Sequence, residues 1–202
     1  MTTQLTAETL SRAIGRLAPH LESVAAELNQ ADARIGDGDL GITMTKGARE
    51  LRAVAGELPD DLGAALMTCA RAFTKGGGSS YGTLLATGLM TAAKACRGKS
   101  TVDWTAVSGL LDAAVVAMAD RGGASLGDKT VLDTIDATAR ALVDLDDPAA
   151  MTEAALAATE DTLDRFRDRP NRVGRARMFA EKSIGLHDPG MLAFREILCG
   201  LR

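Results

Sequence analysis

The chain has little of what builds sheets or staples small domains. Of its 202 residues only 3% are aromatic, with one Trp, one Tyr and four Phe. β-Branched and aromatic residues favour strands, so a sheet-dominated fold is not expected. Three cysteines, Cys69, Cys96 and Cys199, stand far apart without metal-ligand spacing, each in an apolar stretch. They read as buried thiols rather than as a disulfide framework or a zinc site. The two histidines offer no base-and-nucleophile pair. His20 reads as structural or exposed, and His187 as a loop residue. No long apolar run, N-terminal apolar segment or twin-arginine signal occurs, so a cytoplasmic protein without membrane contact is expected. Basic residues are not in excess: the net charge is −4. Nucleic acid is not an expected partner, and an acidic chain that binds a phosphate compound needs a cation to screen repulsion.

The hydrophobic fraction, 46%, is skewed towards Ala, Leu, Val and Met. These contents suit one all-α domain over residues 1–202. Leu10, Ile14, Leu17, Leu21, Val24 and Leu28 form one helical stripe, with Pro19 expected to bend or end it. Further helices are expected over Ile42 to Glu57, Leu62 to Phe73, Tyr81 to Cys96, Trp104 to Met118, Leu132 to Leu142, and Asp147 to Phe166. The last starts at Asp188–Pro189 and runs to Leu201. Eight antiparallel helices follow, and no alternating strand pattern competes. Four junctions are rich in Gly and polar residues: 32–41, 76–82, 122–130 and 174–190. If the helices run up and down, some of these junctions gather at one end, where chemistry is expected.

The first junction carries Asp32, Asp37 and Asp39 among Gly36, Gly38 and Gly41. Three carboxylates in eight residues repel unless water or a cation screens them, and glycines let Asp37 and Asp39 aim at one point. A magnesium–phosphate site and a solvated acidic turn both fit. The dinucleotide fingerprint fails because no strand precedes the glycines. An EF-hand fails because Ile42 and Ala48 stand where Gly and Glu are needed. The second junction, Lys75 to Thr83, offers backbone amides and the hydroxyls of Ser79 and Ser80 at a helix start. That suits an anion, or a plain connector, but it lacks the Walker A ending. In Gly127-Asp128-Lys129-Thr130, Asp128 reads as a helix cap. Asp188-Pro189-Gly190 is by itself an ordinary helix start.

In this order, from Asp32 to Gly190, these motifs resemble the nucleotide-binding L subunit of dihydroxyacetone kinase. The resemblance implies a closed barrel of eight antiparallel amphipathic helices with a nucleotide at one rim. It implies that Asp32, Asp37 and Asp39 hold two Mg2+ ions on the phosphates of ADP or ATP. Leu40, Gly41, Ile42 and Thr43, with Gly78, Ser79 and Ser80, would contact phosphate or ribose. Gly122 and Val131 would line the adenine pocket, and Arg175 with Asp188, Pro189 and Gly190 would close it. It also implies phosphoryl transfer to dihydroxyacetone or a related short ketose held on a K-type subunit. In one branch of the family a phosphotransferase-system protein is the donor. The chain departs from the family pattern at Leu40 and Leu186, which replace His, in a Gly-Ser loop about two residues shorter, and at Ala180-Glu181-Lys182-Ser183. Those departures keep two other expectations open: a non-catalytic nucleotide-sensing module that regulates a protein partner, and a helical scaffold with a relict site.

Overall fold

The apolar stripes become nine α-helices among residues 4–76 and 79–202, which this computed structural model describes. Helix α1 (Ala7–Ser23) starts on Thr6. The Thr9 amide donates to Thr6 Oγ1 at 3.2 Å and the Thr6 amide to Thr9 Oγ1 at 2.8 Å. This reciprocal pair satisfies donors that a helix start otherwise strands. Pro19 lies inside α1 and does not end it; the break comes at Val24, and α2 (Ala25–Ala33) carries on. A proline removes one helical bond and tilts a turn, which a packed helix tolerates. The single first helix expected from the stripe is therefore two.

The rest follow as α3 (Leu40–Val54), α4 (Leu62–Lys75), α5 (Ser80–Ala95), α6 (Val107–Gly122), α7 (Val131–Ala141), α8 (Pro148–Arg167) and α9 (Pro189–Leu201). Asp147 and Asp188 cap α8 and α9 as their sequence suggests. Their carboxylates accept the amides of Ala150 at 2.8 Å and Met191 at 2.9 Å, with proline at the first helical position. The cap of α7 is Thr130, not Asp128. Asp128 instead accepts the Ser125 amide at 2.9 Å, because a turn separates it from the helix.

Each helix packs on the next in sequence, and α9 returns to pack on α1, closing the ring. With α1 and α2 as one stave, the barrel has the eight staves expected. α9 also touches α2, α3 and α7, and its Met191 and Ala193 are fully buried. One core cluster lies around Leu21, Met44 and Phe73 and another around Met118, Leu132 and Phe194. At the α2–α3 contact a Cβ on Gly41 would fall 1.9 Å from the Ala25 carbonyl oxygen, so only glycine permits that approach. A two-stranded antiparallel ribbon was not expected. β1 (Gln4–Thr6) pairs with β2 (Thr101–Asp103), Leu5 opposite Val102. Three-residue strands are too short to show alternation. Among the described residues no helix is long and apolar enough to cross a membrane.

Candidate functional site

A cavity of about 560 Å³ opens at one rim, where the polar junctions converge. Its size falls in the range of small-molecule sites. It brings together Asp32, Leu40, Ser80, Gly122, Val131, Arg175 and the Asp188–Pro189–Gly190 turn. Leu84, Met118 and Leu132 give it apolar walls. Asp37, Asp39, Gly41, Ile42, Thr43 and Ser79 lie beside the cavity or behind its wall and do not line it. Gly78 lies outside the described residues.

The acidic loop is shaped by one of its own carboxylates. Asp32 Oδ2 accepts the amides of Gly38 at 2.9 Å and Asp39 at 3.0 Å. Gly38 has φ +77°, a left-handed conformation that glycine adopts without strain. The curl brings carboxylate oxygens of Asp32, Asp37 and Asp39 within 4.8 Å of one another, with Asp37 and Asp39 exposed. A cluster of hard oxygen donors open to solvent fits Mg2+, which takes few protein ligands and keeps other positions for phosphate and water. Arg175 crosses the mouth and pairs with Asp37. The structure thus joins two site residues separated by well over a hundred positions in sequence.

The start of α3 is more occupied than its sequence suggests. Asn29 Oδ1, on α2, accepts the amides of Gly41 at 2.8 Å and Ile42 at 3.2 Å, and the Thr43 amide donates to the Asp39 carbonyl at 2.9 Å. Asn29 was missed because nothing local marks it: its partners lie twelve and thirteen residues on. At the start of α5, Ser79 Oγ accepts the Gly82 amide at 3.0 Å. The Tyr81 hydroxyl donates to the Gly190 carbonyl at 2.9 Å and so ties α5 to the first turn of α9. Burial, and then the nearby Asp188 carboxylate, push that phenol well above its ordinary value.

Behind the Asp188 turn lies a buried polar network. Lys129, fully buried with φ +64°, donates from Nζ to the carbonyls of Arg167 (3.0 Å), Arg169 (2.7 Å) and Ser183 (2.9 Å). Three acceptors suit the three protons of an ammonium group. Burial pushes the Lys129 amine down, against the pull of Asp188 and Asp168. Asn171 Nδ2 donates to the Lys129 carbonyl at 2.9 Å and to Asp188 Oδ2 at 2.8 Å. Burial raises the Asp188 carboxyl from 3.8 to about 6, although hydrogen bonds from Met191 and Asn171, and Lys129, oppose the shift. Lys129 therefore ties the 167–183 segment, which carries Arg175, to the capped start of α9. Sequence reading flagged the Gly-Asp-Lys-Thr segment but had no means of finding these distant carbonyls.

Comparison with known proteins matches residues 34–202 to the DAK2 domain. An L-erythrulose 1-kinase of Mycolicibacterium smegmatis is 34% identical over 182 residues, 87% of this chain and 32% of that protein. The chain thus spans about a third of that relative. The ADP-binding subunit DhaL of PEP-dependent dihydroxyacetone kinase 1 from Listeria innocua is 32% identical, over 81% of this chain and 79% of the subunit. The crystal structure of the dihydroxyacetone kinase from C. freundii in complex with AMP-PNP and Mg2+ superposes with a TM-score of 0.74 over 95% of this chain. It shares 23% identity and is matched over 33% of its length, which establishes the common all-helical fold. The family model and the 34% identical relative place the chain in one group: it belongs to the DAK2 domain family.

Proposed function

We propose that residues 1–202 form one domain that acts as the nucleotide-binding subunit of a dihydroxyacetone-type kinase in the cytoplasm. It would present the phosphates of ATP or ADP to dihydroxyacetone or a related short ketose held on a K-type subunit. The observation that carries this reading is the meeting of three carboxylates at the mouth of a nucleotide-sized cavity. Relatives named as kinases, and one named as an ADP-binding subunit, support it.

Asp32, Asp37 and Asp39 would hold Mg2+, two ions in this proposal. Bound there, magnesium supplies charge neutralisation on the phosphate oxygens. The apolar walls at Leu84, Met118 and Val131 receive the base. Arg175, paired with Asp37 in this structure, would close the nucleotide site beside the phosphates. A phosphotransferase-system protein is one source of the phosphoryl group, and exchange with free ATP is the other.

Leu40 favours a second reading. It is buried and lines the cavity where the family pattern has His, which suits a module that senses nucleotide and signals to a protein partner. Ketose phosphorylation with a K-type subunit separates the two.

Calorimetric titration with ADP and with ATP, each with and without Mg2+, tests the site. Magnesium-dependent binding that disappears in Asp37→Ala is expected. Unchanged affinity in that variant would overturn the metal assignment.

A further inference from the structure

Away from the cavity, along the seam between α1 and α9, three potential metal ligands come together from opposite ends of the sequence. His20 Nε2 lies 2.8 Å from Glu196 Oε2. A nitrogen of His20, a carboxylate oxygen of Glu196 and the sulfur of Cys199 all lie within 4.8 Å of one another. Glu196 and Cys199 are three residues apart on α9 and so share one face of that helix, while His20 reaches across from α1. We propose that His20, Glu196 and Cys199 form a second metal site, which takes a borderline divalent cation such as Zn2+ with water as fourth ligand.

The geometry is nearly set. Tetrahedral zinc with bonds of about 2.0–2.3 Å places its ligands roughly 3.3–3.8 Å apart. The three atoms already lie near the spacing such an ion needs, with the 2.8 Å His20–Glu196 pair opening slightly to admit it. The backbone around it is already fixed. Arg16 Nη2 donates to the Leu201 carbonyl at 3.0 Å, and Gly200 packs directly against Leu17. Glu196 is buried, and Arg195 donates to its other oxygen, Oε1, at 2.9 Å. That bond holds the plane of the carboxylate and leaves Oε2 facing His20. The His20 side chain keeps 29% of its exposure, a route for an ion to enter.

The donor set decides which ion. Nitrogen, oxygen and sulfur together suit zinc or cobalt and disfavour magnesium, which demands an oxygen shell. The Asp32–Asp37–Asp39 loop offers oxygen alone, so the two clusters sort metals by chemistry. Asp188, at the cavity, and Glu196 are eight residues apart on one helix, about 12 Å along its axis. Binding releases the Cys199 thiol proton to solvent and forms a metal–thiolate bond. His20 passes to the Nδ1–H tautomer so that Nε2 can ligate, and its hydrogen bond to Glu196 is lost.

Cobalt titration of the whole protein, in excess Mg2+ to occupy the acidic loop, tests the site. One Co2+ per chain is expected, with a thiolate-to-cobalt charge-transfer absorption in the near ultraviolet. The absorption should vanish in Cys199→Ser and in His20→Ala, each with unchanged helical circular dichroism, and persist in Asp37→Ala. If the wild type shows no thiolate band, or if Cys199→Ser keeps it, the proposal fails and the cluster is a hydrogen-bonded clamp between helices. Should either seam variant lose helical signal, zinc competition against a chromophoric chelator on the wild type decides the matter. Affinity no greater than that of free carboxylates then overturns it.

Discussion

Two sets of aspartates lie at the same rim and are used in opposite ways. Asp188 and Asp133 are buried, and each divides its oxygens between two donors: Met191 and Asn171 for the first, Gly127 and Thr130 for the second. Burial raises both carboxyls. Asp37 and Asp39 stand in solvent, and Asp37 pairs with an arginine that is itself exposed. A buried carboxylate that already accepts on both oxygens has less capacity left for a ligand than an exposed one held in place by its loop. At this rim, then, burial and not residue type separates the aspartates that brace helix starts from the exposed Asp37 and Asp39 that would bind, while half-buried Asp32 shapes the loop and would bind as well.

The contrast breaks most sharply at Lys129. Lys129→Met leaves the Arg169 carbonyl without a donor and takes one of two donors from the carbonyls of Arg167 and Ser183. It also leaves Asp188 without its cation, and removing one partner of a buried charged network costs about 3–5 kcal/mol. Urea denaturation should show a loss of that order, and an unchanged midpoint would mean that the network does not tie the rim together. On the exposed side, Asp37→Ala should shift stability by less than about 0.5 kcal/mol, as surface changes do. Denaturation run beside the nucleotide titration checks that the loss of binding occurs in a protein of normal stability.

Asp188 sharpens the comparison through pH. Its folded value, about 6, lies above the ordinary 3.8, so the fold prefers the protonated form and ionisation costs stability. The contribution is present below about pH 4 and lost as pH rises through about 6. A shift of this size corresponds to at most about 3 kcal/mol. Asp188→Asn keeps a capping side chain and should flatten the stability profile between those pH values; a profile as steep as wild type would assign the slope to other groups. A smaller effect than at Lys129 or Asp188 is expected at Asn29→Ala, which strands the Gly41 and Ile42 amides. About 1 kcal/mol, typical of a lost cap, should appear in denaturation, and no change would mean that water replaces the cap without cost.

What could be read in the sequence was whatever local chemistry decides. Asp147–Pro148 and Asp188–Pro189 mark helix starts because cap and first turn are neighbours in the chain. The acidic loop was visible for the same reason: Asp32 binds amides only six and seven residues away. Legibility stops where a partner is distant. Asp128 looked like a cap until Thr130 took the position. Lys129 gave no hint of the carbonyls at Arg167, Arg169 and Ser183. Cys199 read as an isolated buried thiol, yet it is only partly buried and His20 faces it from across the chain. The ribbon Gln4–Thr6 with Thr101–Asp103 joins segments about a hundred residues apart, which no periodicity reports.

The ring order of the barrel also bears on kinetics. Most staves contact their neighbours in sequence, so the entropy of closing the intervening loops is small and early encounters are fast. The seam where α9 meets α1 is different, since it joins the two ends of the chain. Bringing those ends together carries the largest chain-closure cost in the molecule, and the pairing is rewarded only once the walls between have formed. The α1–α9 seam is thus the slow latch of the fold, and a bolt across it would lengthen the lifetime of the closed barrel more than it would hasten its assembly.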